Sequence, residues 1–172
     1  MNRPDGVSGP DGSGAPEGSG TPGGAGLTDA ERLRQGFEVR RAVLSDAHVD
    51  RAIAATTPLT ADWQDFITRT AWGDVWSRPG LDRRMRSVAV LTSLIAHGHQ
   101  EELAMHLRAA LRNGLSVPEI GEVILQSAIY SGVPAANTAF RIASTVFAEA
   151  SAESGPSADG DPPTDPATEE PA

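Results

Sequence analysis

Three side chains on one stretch of the chain have the types and spacing for proton chemistry. Residues 99–113 project as a helix whose core stripe is Leu103, Leu107, Ala110 and Leu111, with Glu101, Arg108 and Arg112 on the solvent side. His99, Glu102 and His106 fall together on a third stripe, roughly a quarter turn from the core centre. Glu102 and His106 are four residues apart and can touch. A carboxylate beside an imidazole raises the imidazole pKa, and one unit, about 1.4 kcal/mol, suffices to make His106 a proton donor near neutrality. The same pattern also fits an ordinary surface Glu–His pair worth a few tenths of a kcal/mol. It fits three metal donors as well, but without a fourth ligand or a known motif, so no metal is assigned.

The second chemical feature is Arg78-Pro79-Gly80-Leu81-Asp82-Arg83-Arg84-Met85-Arg86. Four Arg at the start of a helix oppose the helix dipole, which favours acids there. A pocket for anions would explain them, because guanidinium grips a carboxylate through a two-toothed fork. Arg78, Arg83 and Arg86 are the candidate binders; the alternative is a solvated cluster paired with Asp74 and Asp82. Tyr130 and Asn137 are weaker candidates for substrate contact. Trp72 and Trp76 read more readily as core or subunit contacts than as ligand platforms.

The elements that must carry these residues are all helical. Apolar residues recur at three and four, and strand-like alternation is nearly absent. Thr28 with Glu31 forms a capping box opening a helix to about residue 42; Asp46 caps a short helix to about Ala55; and Thr60 caps one running toward Trp76. After the break at Arg78-Pro79-Gly80, a helix from about Asp82 ends at His97-Gly98, and the next spans about 99–113. Ser116 and Glu119 form a second capping box with Pro118 in the first turn. Gly132-Val133-Pro134 interrupts before a last helix from about Ala135 to Ala150. The expected fold is all-α, a single domain of about seven helices over 27–150.

Composition bounds the function. The chain has 172 residues, a formal charge of −9, no Cys, and Arg at all 14 basic positions. Absent thiols exclude disulfides and thiol peroxidase or reductase chemistry; absent Lys excludes Schiff bases and a Walker-type phosphate loop. The acidity lies in the flanks: residues 151–172 carry six carboxylates and no base, whereas 27–150 is nearly neutral. Residues 1–26 hold nine of the 18 Gly, and both flanks read as disordered. An acidic chain is a poor nucleic-acid binder. No apolar run approaches the roughly 18 residues of a membrane span, and the start lacks a secretory apolar stretch. A cytoplasmic protein without nucleic-acid or membrane partners is the expectation.

Three blocks, Ala71 to Ser87, Glu102 to Gly114 and Ile129 to Asn137, resemble the carboxymuconolactone decarboxylase family, whose fold is shared with alkylhydroperoxidase D. The resemblance covers roughly Gly36 to Glu149. In the peroxidase branch a Cys-x-x-Cys pair precedes a His by four residues; here His99 and Glu102 resemble the Cys positions and His106 matches the His. That branch's upstream glutamate falls near Ser87. The resemblance therefore implies decarboxylation, not peroxidase activity. It implies no cofactor, a small lactone dicarboxylate as substrate (γ-carboxymuconolactone, giving β-ketoadipate enol-lactone and CO2 in protocatechuate catabolism), and a homo-oligomer, trimer or hexamer. His106 would be the general acid, tuned by Glu102, with His99 adding a hydrogen bond and Arg83 and Arg86 holding the side-chain carboxylate. The alternatives are a relative acting on another lactone or β-keto acid, and a non-catalytic helical oligomer.

Overall fold

A computed structural model describes residues 26–153. Most of both flanks, and the disorder expected of them, lies outside the described residues. The order is α1 (Asp29–Leu44), α2 (Asp46–Ala54), α3 (Ala61–Ile67), a π-helical segment (Thr68–Trp76), α4 (Arg83–His97), α5 (Gln100–Arg112), α6 (Val117–Ser131) and α7 (Val133–Glu153). The described residues contain no strand and no helix long and apolar enough to cross a membrane.

The helix starts follow from local chemistry. Thr28 and Glu31, and again Ser116 and Glu119, satisfy each other's free backbone donors as capping boxes. Asp82 caps α4 by accepting from the Met85 N–H at 2.8 Å, and Gly98 ends it in the left-handed conformation. Two caps differ from expectation. Ser45, not Asp46, caps α2, its hydroxyl accepting from the His48 N–H at 3.3 Å. Thr60 precedes α3, but its hydroxyl accepts from the Thr57 N–H, bracing the turn instead of the helix. The Gly132 break is shorter than expected, since α7 begins at Val133 with Pro134 in its first turn, where its missing N–H is not needed.

Two cores result. The larger joins α4 to α7 through Leu91, Ile95, Leu103, Leu107, Ile120 and Ile124, closed by small residues of α7 such as Ala139. The smaller joins α1, the π segment and α5 through Val43, Leu44, Trp72 and Ala109, with Trp76 and Met105 at its edge. Helix α5 serves both. At the crossing of α1 and the π segment the backbones touch: a Cβ on Gly36 would collide with the Thr68 carbonyl, and one on Gly73 with that of Arg32.

Candidate active site

His106 lies half-buried on the side of α5 that faces the smaller core. The helix expected to run from Thr60 to Trp76 is α-helical only to Ile67 and then widens into the π segment, which carries Trp72 and Trp76. Trp76 stacks on His106 with ring centroids 6.5 Å apart, and Trp72 packs on Trp76 at 5.2 Å. Trp72 is buried, as its reading as a core residue requires.

Burial decides the charge state of His106. Its pKa is pushed down to about 4, first by desolvation, then by the neighbouring His48, with Glu102 opposing weakly. Glu102 acts in the expected direction, but the expectation of a net raised value is corrected, because desolvation and His48 outweigh it. Glu102 is exposed, and among the described residues no hydrogen bond joins it to His106. In water its charge is screened, so the loss of solvent around the imidazole wins. In the free protein His106 is neutral at pH 7.

The other sequence candidates are spread over the fold. His99 sits at the exposed start of α5, its ring 5.9 Å from that of His97. No group of three or more His, Asp or Glu among the described residues could hold a metal. Arg83 opens α4 and Gly98 closes it, so Arg83 and His99 are separated by the length of the helix, about 22 Å. Tyr130 lines a groove with Ala96 and Ser131 at the His99 end and is 81% exposed. Asn137 is exposed on the first turns of α7, beside a cavity of about 80 Å³ lined by Gly98, Gln100 and Thr138.

The arginine cluster divides by function. Arg86 donates to the carbonyls of Leu81 (3.1 Å) and Arg78 (2.8 Å), fastening the loop that follows Trp76. Arg84 reaches Gly114 and pairs with Glu119 at 2.5 Å, tying the starts of α4 and α6. The carboxylates expected to neutralise the cluster are engaged elsewhere: Asp74 with Arg32 at 3.0 Å, Asp82 on its cap. Arg78 and Arg83 are exposed and form no ion pair among the described residues.

Two residues that sequence reasoning missed sit beside the smaller core. Arg40 is 7% exposed, with Nη1 donating to Gln64 Oε1 (3.0 Å) and Thr68 Oγ1 (3.2 Å). His48 on α2 has its pKa lowered by burial and then by the charges of Arg40, Arg51 and Arg112. The signal for Arg40 was its place on the stripe of Gly36, Val43 and Leu44, where an apolar residue belongs. His48 follows a Ser cap that was not recognised.

Comparison with known proteins adds an independent line. Residues 61–145 match the profile of the carboxymuconolactone decarboxylase family. The 4-carboxymuconolactone decarboxylase of Acinetobacter baylyi is 46% identical over 121 residues, covering 70% of this chain and 90% of the relative. The nitrosuccinic acid decarboxylase of Metarhizium robertsii is 43% identical over 100 residues, 58% of this chain and 70% of its own length. A 4-carboxymuconolactone decarboxylase sequence from Pseudomonas putida matches over its whole length of 48 residues at 44% identity, covering 28% of this chain.

Proposed function

The chain belongs to the carboxymuconolactone decarboxylase family, and from that premise we propose that it removes CO2 from 4-carboxymuconolactone to give β-ketoadipate enol-lactone, without a cofactor. The observation that carries this reading is 46% identity extending over 90% of a relative with that activity in its name. It is a carboxy-lyase reading, and the chemistry asks little of a protein. The departing carboxylate sits on a ring carbon conjugated through the alkene to the lactone carbonyl. The C–C bond breaks with its electron pair entering the ring, leaving an oxyfuran-like dienolate, and a proton then adds at the carbon alpha to the carbonyl. The protein must stabilise the negative lactone oxygen and deliver that proton.

His106 is the proton donor in this proposal. It is neutral while the site is empty, and an anionic substrate entering beside a desolvated imidazole raises its pKa. The substrate supplies the charge that Glu102 is too exposed to supply. Trp76, stacked on the imidazole, fixes its plane and keeps water from one face. Arg78 and Arg83, unpaired along the chain from Trp76, draw a dianion toward the site, and Arg86 braces their loop. His99 lies two turns before His106 on α5, about 10 Å along the axis, and Tyr130 and Asn137 sit beside the His99 end of α4. Ile129, Tyr130 and Val133, each more than 60% exposed, give the α6–α7 turn an apolar surface on which a cytoplasmic homo-oligomer, a trimer or hexamer, can form.

The test is ultraviolet assay of lactone turnover by the purified full-length protein, with and without chelator. Metal-independent turnover is expected, and no turnover in either condition would overturn the reading. One specific observation favours a second substrate. The Metarhizium relative is named for nitrosuccinic acid, a dicarboxylic acid whose leaving carboxylate also adjoins an electron sink, the nitro group. Comparing kcat/KM for the two acids decides between them.

A further inference from the structure

Arg40 is a buried cation without an anion. It is 7% exposed, and its hydrogen-bond partners, Gln64 and Thr68, are neutral. Among the described residues no carboxylate pairs with it. Its Nε is buried with no hydrogen-bond partner, and its two hydrogen bonds among the described residues both leave from Nη1, not Nη2. Holding a charge in this state is unfavourable, and a protein using Arg40 only to fasten α1 to the π segment would do better with an apolar side chain. The unused atoms are not scattered. Nε and Nη2 form one edge of the guanidinium plane, the edge that accepts both oxygens of a carboxylate in parallel.

The surroundings match an anionic ligand. The charges acting on His48 are Arg40, Arg51 and Arg112, all cationic, and His48 in turn acts on His106. Arg112 is held nearby by donating to the Val43 carbonyl at 3.1 Å, one turn of α1 beyond Arg40. Arg40 rests on Thr68, the first residue of the π segment, whose last residue, Trp76, stacks on His106. Arg40, His48 and His106 thus follow one another around the smaller core, each within electrostatic reach of the next.

We propose that the Nε–Nη2 edge of Arg40 is the anchor for the carboxylate that the substrate keeps, the one that does not leave as CO2. The assignment to the retained group rests on the decarboxylation reading and on a simple energetic rule. A strong bond to the departing carboxylate would be lost in the transition state and would slow the reaction, whereas a bond to the retained one survives it unchanged. Both acids considered above carry one carboxylate of each kind. Such an anchor selects dicarboxylates over monocarboxylates, and Arg83 and Arg86 are relieved of the role of holding the retained group.

The experiment uses the full chain and two readouts. For Arg40→Lys, which keeps the charge but loses the fork, and for Arg40→Met, KM for the lactone should rise about tenfold or more, with kcat within about threefold of wild type. Calorimetric titration with succinate, a dicarboxylate that cannot react, should show a matching loss of affinity in both variants, with a thermal midpoint that does not fall in Arg40→Met. Unchanged KM, or a loss of kcat at unchanged KM, would overturn the anchor and leave decarboxylation standing. If the wild type does not turn over the lactone, the succinate arm decides alone: binding that Arg40→Met abolishes sustains the anchor, and binding that is absent from the wild type or unchanged in the variant overturns it. Should Arg40→Met fail to fold, Arg40→Lys decides by the same criteria.

Discussion

The two cores of this domain are built on opposite rules. The larger one, from α4 to α7, is a cluster of Leu, Ile, Val and Ala, with α4 and α6 each started by a side-chain cap. The smaller one is edged by Trp76, His106, Arg40 and His48, includes a nine-residue π segment, and depends on two glycines where backbones touch. Stability resides in the first and chemistry in the second. Local rules are satisfied where the protein needs only to fold, and are broken where a polar group must be held out of water without a partner.

The sharpest way to break that division is at His106. His106→Ala and His106→Gln should each lower kcat by about 10²–10⁴, the usual contribution of a general acid, with little change in thermal midpoint. Activity of both variants within about threefold of wild type would sink the proton-donor role and leave the smaller core without assigned chemistry.

Paired substitutions sharpen the contrast next. Leu91, fully buried in the larger core, should lose about 2–5 kcal/mol of stability on truncation to Ala, while the folded fraction keeps its wild-type KM. Gly36→Ala forces α1 off Thr68 and should lose about 1–3 kcal/mol. Because Thr68 is also the seat of Arg40, Gly36→Ala should raise KM as well. Denaturant melts and steady-state kinetics on the same preparations check both halves; a raised KM in Leu91→Ala would show that the two cores are not separable.

The depressed pKa of His106 yields a third contrast. Its folded value of about 4 lies below the ordinary histidine value of 6.5. Between pH 6.5 and 4 the unfolded chain binds a proton that the native state refuses. The stability this imidazole contributes is therefore complete above about pH 6.5 and is lost as pH falls toward 4, up to about 3 kcal/mol over that window. Thermal melts of wild type and His106→Gln, close together at neutral pH, should separate toward pH 4, the wild type falling and the variant showing the flatter profile. Parallel profiles would mean that the imidazole is not desolvated.

The larger core was legible in the sequence because its signals are local: the Ser116–Glu119 capping box, Asp82 and Gly98 at the ends of α4, and a 3.6-residue apolar period on α5. The smaller core hides its signals in exceptions. A π segment has no period distinct enough to read from nine residues, so the helix toward Trp76 looked uninterrupted. Arg40 counts as polar in any pattern although it occupies a core position. His106 was found by type and spacing, but its charge state depends on what α1, α2 and the π segment lay over it, contacts between residues far apart in the chain.

The smallest expected effect is the most informative about that last point. The spacing of Glu102 and His106 suggested a couple in which the carboxylate charges the imidazole. The structure leaves Glu102 exposed and makes it the weakest of the three influences on His106. A charge in water acting on a desolvated ring is screened before it reaches it, so its removal should be felt only slightly. Glu102→Gln should therefore change kcat by less than about threefold and leave the imidazole midpoint, followed by NMR titration, within about half a pH unit of wild type. A loss of kcat approaching that of His106→Gln would restore the Glu–His couple. It would also require that Glu102 be buried in the working enzyme, covered by something one chain does not provide, and a second copy at the α5 surface would then become part of the acid.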